Sequence, residues 1–252
     1  MSRGPVPCVV VVGTGTDVGK TRVAALLLEA LVARGLDVAA SKPLASGCHR
    51  RGARLLSDDA LALARALGAS RGPALHLAHD EIAPWRARAP LAPGLALRRA
   101  PTLAALAEHV EERARGRQAL VVEGAGGLFV PYGSDGTVLD FLRELRRRRA
   151  LAVRILLVGA SSLGTINHSA LSVAALRAAS LEPAALVLSR TRRARSPDER
   201  TNAAVIARLA RVSPPVVLPF VDERDGRSAA RRIAMSLSRQ LVPGPATRRR
   251  VR

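Results

Sequence analysis

The stretch CVVVVGTGTDVGKT, residues 8–21, decides the fold that this sequence predicts. It begins as an uninterrupted apolar run of strand length, which is typical of a strand buried on both faces of a sheet. It continues as a glycine-rich segment that ends in Lys20 and Thr21, where a helical pattern begins. In such a strand–turn–helix unit, backbone N–H groups and the helix N-terminus face the phosphates of a nucleotide. The stretch therefore predicts a P-loop in which Lys20 binds the outer phosphates and Thr21 offers its hydroxyl to Mg²⁺.

The spacing of this loop departs from the usual P-loop formula. Thr14 stands where the first glycine is expected, and Gly13 and Gly15 flank it. We interpret the segment as a variant P-loop, and the alternative is a glycine-rich turn that binds no nucleotide.

Apolar runs of strand length alternate with helical patterns along the rest of the chain. This alternation, with strands apolar on both faces, predicts an α/β fold in which a parallel sheet of the P-loop NTPase kind is covered by helices on both faces. We expect a single domain over residues 1–242 and a disordered basic tail over 243–252, and we interpret residues 69–100, rich in Pro, Gly and Arg, as a loop region. The predicted strands are 8–13, 37–42, 118–124, 153–159, 184–189 and 215–220, and the predicted helices are 21–35, 57–68, 101–116, 167–180, 198–212 and 227–241.

The basic composition raises the question of nucleic-acid binding. The formal net charge is +20 at pH 7, but the basic residues are spread over the chain, with the densest runs at 146–149, 192–195 and 248–252. Aromatic residues make up only 2% of the chain and none is interleaved with these runs, so the sequence offers no base-stacking platform. We predict weak, salt-sensitive binding to polyanions and no specific nucleic-acid partner.

The sequence indicates neither a membrane protein nor an exported one. No apolar run reaches the roughly 18 residues that a transmembrane helix needs, and the N-terminal segment lacks the pattern of a signal peptide. Cys8 and Cys48 form neither a disulfide framework nor a metal-binding spacing. We expect a cytoplasmic location and no membrane partner.

Three charged residues follow predicted strands or begin a predicted helix at the edge of the sheet that carries the P-loop. Lys42 ends the second strand and, with Lys20, is one of two lysines among 40 basic residues. A compact ammonium follows a moving phosphoryl group better than the planar guanidinium of arginine, so we predict a functional cation. Glu123 ends a buried strand before a glycine-rich turn, as a ligand of Mg²⁺ would. Asp59 could be a second ligand, or could only interact with the dipole of the helix that it begins.

Five motifs in this order resemble the ATP-dependent dethiobiotin synthetase family. They are GTGTDVGKT (13–21), KPLASG (42–47), SDDALAL (57–63), EGAGG (123–127) and LGTINH (163–168). The resemblance implies that 7,8-diaminopelargonic acid, CO₂ and ATP give dethiobiotin, ADP and phosphate, in a step of biotin biosynthesis. It also implies a carbamate, a carbamic–phosphoric anhydride, bound Mg²⁺ and a homodimer.

The resemblance also implies roles for individual residues. Lys42 corresponds to the catalytic lysine. The metal ligands correspond to Thr21, Asp59 and Glu123, and the substrate contacts to Thr16, Ser46, Gly164 and Asn167, of which the last two lie where the family has its dimer interface. The nucleotide contacts correspond to Asp17, Val18, Gly19, Lys20, Thr21, Arg22, Asp59, Glu123, Gly124, Ala125, Gly126, Ser189, Arg190, Pro219, Phe220 and Val221.

Three positions depart from the pattern of the family. Gly15 replaces the usual aspartate of the loop, and Gly94 in APLAPG (89–94) takes the place of a histidine in the mobile substrate loop. Ser189 and Arg190 replace the Asn-Asp pair that reads the base, so the preference for adenine stays open.

Two other ATPases of the same group and one non-enzymatic function are the alternatives. A cobyrinic-acid-type amidotransferase would carry a C-terminal glutaminase domain with a cysteine nucleophile, for which we expect no room in this chain. A partition-type switch ATPase would carry an extra lysine at the position of Gly15. A polyanion-binding protein would need neither Lys42 nor Glu123.

Overall fold

The structure, a computed structural model, describes residues 4–69, 71–192, 199–220 and 226–243. The described residues form ten strands and nine helices. In chain order these are β1 (Val6–Gly13), α1 (Lys20–Ala33), β2 (Val38–Ser41), β3 (Leu44–Ala45), β4 (His49–Arg51), β5 (Arg54–Leu56), α2 (Asp58–Ala66), α3 (Gly72–Ile82), β6 (Trp85–Arg86), α4 (Pro93–Ala96), α5 (Leu103–Ala114), β7 (Ala119–Glu123), α6 (Val138–Arg147), β8 (Leu151–Ala160), α7 (Thr165–Ala178), β9 (Pro183–Ser189), α8 (Glu199–Ala210), β10 (Val216–Leu218) and α9 (Gly226–Leu241).

A six-stranded sheet with the order β10–β9–β8–β1–β7–β2 forms the centre of the molecule, and all its pairings are parallel. Side chains of β1 alternate between the two cores: Val9 and Val11 pack with α1, α2, α3 and α9, whereas Val10 and Val12 pack with α5, α6, α7 and α8. Both faces of a parallel sheet are covered in this way, which explains why its strands are apolar throughout. The predicted fold class is confirmed.

The six predicted strands form the central sheet, and each predicted helix is present. The interpretation of residues 69–100 as a loop region is wrong in part, because α3 lies within it. Its buried side chains are Leu75, His79 and Ile82, at the spacing of one helix face. A histidine in the middle of that face breaks the apolar pattern from which a helix is predicted.

The sequence pattern also predicts neither α6 nor the β4–β5 hairpin. Helix α6 begins with a capping box, in which Thr137 and Asp140 each accept a hydrogen bond from the backbone N–H of the other. Of the helices in the described ranges, none is long and apolar enough to cross a membrane. Val221, a predicted nucleotide contact, lies outside the described residues. Residues 244–252 also lie outside them, so the predicted domain boundary at residue 242 and the predicted disordered tail stay predictions.

Candidate active site

The P-loop wraps its backbone around the side chain of Lys20. Lys20 Nζ donates to the carbonyl oxygen of Gly15 at 2.7 Å, and the residue is only 7% exposed. Burial lowers the pKa of Lys20 to about 8, and the nearby ammonium of Lys42 contributes to the decrease. An anionic phosphate in this loop would favour the charged form of Lys20.

Lys42 is buried between two carboxylates at the end of β2. Its Nζ lies 2.8 Å from Asp59 Oδ2 and 2.9 Å from Glu123 Oε1, and the residue is 4% exposed. Burial alone would lower the pKa of Lys42, but the carboxylates of Glu123 and Asp59 outweigh it and raise the pKa above its ordinary value. Lys42 is therefore a charged ammonium across the physiological range.

The two carboxylates differ in their surroundings. Burial raises the pKa of Glu123, which is 1% exposed, although Lys42 partly offsets this effect. For Asp59, burial also acts to raise the pKa, but the Lys42 ammonium outweighs it and the pKa falls below its ordinary value. Asp59 therefore carries the more firmly ionised carboxylate of the pair.

The donor set around Thr21 fits Mg²⁺. Thr21 Oγ1 lies 2.7 Å from both Asp59 Oδ1 and Glu123 Oε1, and Glu123 Oε2 is buried with no hydrogen-bond partner among the described residues. No group of three His, Cys, Asp or Glu residues suited to a metal occurs in the described part of the chain. Two carboxylates and a hydroxyl suit a cation that takes its other oxygens from phosphate and water, as Mg²⁺ does.

A cavity of about 710 Å³ opens beside these groups. Of the residues predicted to contact nucleotide or substrate, those that line it are Thr16, Asp17, Gly19, Lys20, Thr21, Arg22, Lys42, Ser46, Asp59, Glu123, Ala125 and Gly126. Sequence reasoning missed the apolar wall, which consists of Leu44, Ala45, Pro90, Leu91, Ala92, Pro93 and Val130. In the sequence, the segment APLAPG shows only the departure at Gly94, because its position over the cavity depends on contacts distant in sequence.

Backbone hydrogen bonds hold this apolar segment over the cavity. Gly47 N–H donates to Ala89 O at 3.1 Å, and Gly94 N–H donates to Pro131 O at 3.0 Å. A Cβ atom on Gly94 would lie only 2.5 Å from Gly133 O, so no larger residue fits there without movement of the backbone. The absence of a histidine side chain at this position therefore has a structural reason.

The predicted base-reading pair does not line the cavity. Ser189 is fully buried beneath Gly19, whose φ is +92°, and a Cβ on Gly19 would lie 2.6 Å from Ser189 Oγ. The Arg190 side chain is 5% exposed, with Nε 3.1 Å from Glu199 Oε2. Arg22 donates to Arg190 O at 2.9 Å and also to Pro219 O, which ties the ends of β9 and β10 to α1.

The remaining predicted contacts do not line the cavity. Gly164 and Asn167, at the start of α7, are exposed and do not line the cavity. Leu163 and Leu171 beside them are 87% and 62% exposed. Pro219 and Phe220 are half-buried after β10, and Val18 is buried within the P-loop. Gly124, buried after β7, lies close to the site, because its carbonyl oxygen accepts a hydrogen bond from Lys42 Nζ at 3.4 Å.

A doubly covered parallel sheet with a lysine-bearing glycine-rich loop after its central strand defines an α/β protein of the P-loop nucleotide-binding class. The family described as AAA domain matches residues 8–222. ATP-dependent dethiobiotin synthetase BioD of Anaeromyxobacter dehalogenans (strain 2CP-C) is 39% identical over 223 residues, which cover 87% of this chain and 93% of the relative. The protein of the same name from Bacillus thuringiensis (strain Al Hakam) is 34% identical over 215 residues, 84% of this chain and 83% of the relative.

The chain therefore belongs to the ATP-dependent dethiobiotin synthetase family, ATP-binding ligases of biotin biosynthesis, and the predicted family and enzyme class are confirmed. Among solved structures, a ParA family ATPase from Chlorobium tepidum TLS is similar, with a TM-score of 0.50 over 94% of this chain and 97% of that chain. At 13% sequence identity this likeness shows the fold alone.

Proposed function

We propose that this enzyme converts 7,8-diaminopelargonic acid, CO₂ and ATP to dethiobiotin, ADP and phosphate. The observation that carries the proposal is the buried ammonium of Lys42, 2.8 Å from Asp59 and 2.9 Å from Glu123, beside the P-loop. The names of the relatives support the same reaction. A bare nucleotide switch does not require a second buried lysine at this position.

The proposed chemistry has three steps. One amine nitrogen of the substrate attacks CO₂ and loses a proton, which gives a carbamate. A carbamate oxygen then attacks the γ-phosphorus of ATP, the bond to the ADP oxygen breaks, and a carbamic–phosphoric anhydride forms. The second amine attacks the carbonyl carbon and expels phosphate, which closes the cyclic urea.

The residues of this site would act mainly by position and charge. Lys20 binds the outer phosphates, and Lys42 faces the negative charge shared by the carbamate and the transferred phosphoryl group. Thr21, Asp59 and Glu123 would hold Mg²⁺, which when bound supplies positive charge to the phosphate oxygens. The apolar wall, with Leu44, is suited to the methylene chain of the substrate, and a cavity of about 710 Å³ is in the usual range for small ligands.

A second copy of the chain completes this proposal. Gly164 and Asn167 lie outside the cavity of their own chain, and the neighbouring Leu163 is 87% exposed. We propose that these residues contact substrate across a homodimer interface. The cytoplasmic location expected from the sequence stays a prediction.

The test is incubation of the purified protein with diaminopelargonate, bicarbonate and ATP·Mg²⁺, followed by mass detection of dethiobiotin. We expect the wild type to form dethiobiotin and ADP in equal amounts. We expect Lys42→Met to form both products much more slowly than the wild type. Release of ADP without dethiobiotin would instead support a switch ATPase. The likeness to a ParA family ATPase concerns the fold alone and does not favour that alternative.

A further inference from the structure

His79 is a fully buried histidine that the chemistry described so far does not use. It lies near the end of α3, and its Nε2 is 3.0 Å from the backbone nitrogen of Ser57. An amide N–H can only donate, so Nε2 must be the unprotonated acceptor. The proton is then on Nδ1, which lies 3.0 Å from Asp80 Oδ1. The imidazole therefore connects the Asp80 carboxylate to the backbone of Ser57.

Ser57 begins the helix that presents Asp59 to the active site. It is the N-cap of α2, and its hydroxyl accepts a hydrogen bond from Ala60 N–H. A capping residue sets the direction in which the chain enters a helix. Asp59 follows two residues later, so a hydrogen bond that fixes the Ser57 backbone also fixes the position of the Asp59 carboxylate.

The same turn of α3 also holds the backbone of Lys42. Lys42 N–H donates to the carbonyl oxygen of Ile82 at 2.9 Å, three residues after His79. The two hydrogen bonds thus connect one turn of α3 to Ser57, which begins α2, and to Lys42, which follows β2. The side chains of Lys42 and of Asp59 in α2 then lie 2.8 Å apart.

We propose that His79 is a positioning residue for the metal site: by holding the Ser57 N–H, it keeps Asp59 at the distance from Thr21 and Lys42 that a nucleotide-bound divalent cation requires. The inference rests on the proposed role of Asp59 in metal binding. His79 touches neither substrate nor metal ligand directly, and acts through the backbone of α2.

The geometric half of this proposal is tested by NMR on the ¹⁵N-labelled protein. We expect a through-hydrogen-bond coupling between the Ser57 amide nitrogen and His79 Nε2 near neutral pH. Its absence in the folded protein would overturn the proposal.

The functional half is tested by Mn²⁺ binding, measured by the loss of the free Mn²⁺ EPR signal in the presence of AMP-PNP. Outer hydrogen-bond partners of ligands typically change metal affinity about 10–100-fold, so we expect His79→Leu to weaken Mn²⁺ binding about tenfold. His79→Gln, whose side-chain oxygen can accept from Ser57, should restore most of the affinity. His76→Leu, one turn earlier in α3, is the matched control and should bind Mn²⁺ like the wild type.

Thermal unfolding of every variant establishes that it is folded. Should His79→Leu fail to fold, His79→Asn replaces it, because the shorter amide leaves the Ser57 N–H without its acceptor. Wild-type affinity in a folded His79→Leu or His79→Asn variant, or equal loss in His79→Gln and His79→Leu, would overturn the proposal. The dethiobiotin assay is read separately: its failure in the wild type refutes the proposed reaction, whereas the Mn²⁺ result still decides the role of His79.

Discussion

Lys42 illustrates how a single side chain is matched to its surroundings. Its ammonium fits between carboxylates from α2 and β7, at 2.8 and 2.9 Å. A charged group this deeply buried is tolerated because it is paired, and loss of one partner would leave an uncompensated charge. The chain uses arginine at nearly every other basic position. An arginine could keep the charge here but not the compact shape.

Lys42→Arg is expected to keep the fold and nucleotide binding but to lower kcat by about 10²–10³, the usual loss for a misplaced electrostatic donor. The planar guanidinium cannot occupy the same point between the two carboxylates. Steady-state kinetics, calorimetric binding of AMP-PNP and thermal unfolding measure the three properties. A folded variant with near wild-type kcat would show that Lys42 has no catalytic role.

We expect only a modest preference among nucleoside triphosphates, about tenfold or about 1.4 kcal/mol. Neither Ser189 nor Arg190 lines the cavity, and the Arg190 side chain is paired with Glu199. Serine and arginine also lack the donor and acceptor pattern of an Asn-Asp pair. The comparison is kcat/KM for ATP, GTP and CTP at saturating diaminopelargonate and bicarbonate. A preference for ATP above about a hundredfold would show that other groups read the base.

At the scale of elements, α3 and the segment 89–94 are the parts that the sequence pattern predicts least well. The strands could be predicted because strand-length apolar runs identify a buried parallel sheet. Lys42 and Glu123 could be singled out because strand ends of such a sheet meet at one edge. The role of α3 could not be predicted, because His79 interrupts the apolar face of this helix. The residues that α3 contacts through hydrogen bonds, Ser57 and Lys42, are also distant from it in sequence.

Gly94→Ala is expected to displace the segment that covers the cavity. The added Cβ would meet Gly133 O at 2.5 Å and the carbonyl carbon of Pro131 at 3.0 Å, and backbone atoms cannot turn aside. Overpacking of this kind costs about 1–3 kcal/mol, so KM for diaminopelargonate should rise about 5- to 150-fold while AMP-PNP affinity stays unchanged. Gly4→Ala, where nothing lies within 4 Å, is the control. An unchanged KM in Gly94→Ala would mean that the segment does not contact substrate.

His79 makes stability depend on pH. Burial lowers its pKa and Arg86 and His76 act in the same direction, whereas Asp80 opposes them. The folded pKa thus lies below the ordinary value of 6.5, so the stabilisation is complete above that value and is lost as pH falls through the folded pKa. Between about pH 6.5 and about pH 5, the unfolding midpoint should fall more steeply in the wild type than in His79→Gln. Parallel curves would contradict this assignment of protonation states.

At the scale of the whole molecule, the net charge of +20 is the dominant surface property. Charge of this kind gives association with polyanions that depends on ionic strength and not on sequence. We expect labelled duplexes of unrelated sequence to bind with similar affinity by fluorescence anisotropy, and log K to fall linearly with log salt concentration. Discrimination between sequences by about 10³ or more would indicate a specific DNA-binding function instead.

Trp85 is the single tryptophan of the sequence, and the fold pairs its strand with the segment that follows Lys42. Its strand β6 pairs with β3, and its backbone N–H donates to Pro43 O at 3.3 Å, one residue after Lys42. Its ring meets that of His109 edge-on, with centroids 5.8 Å apart. The protein thus carries an intrinsic fluorophore: the emission of this one indole is expected to report on movement of the segment after Lys42 without any attached dye.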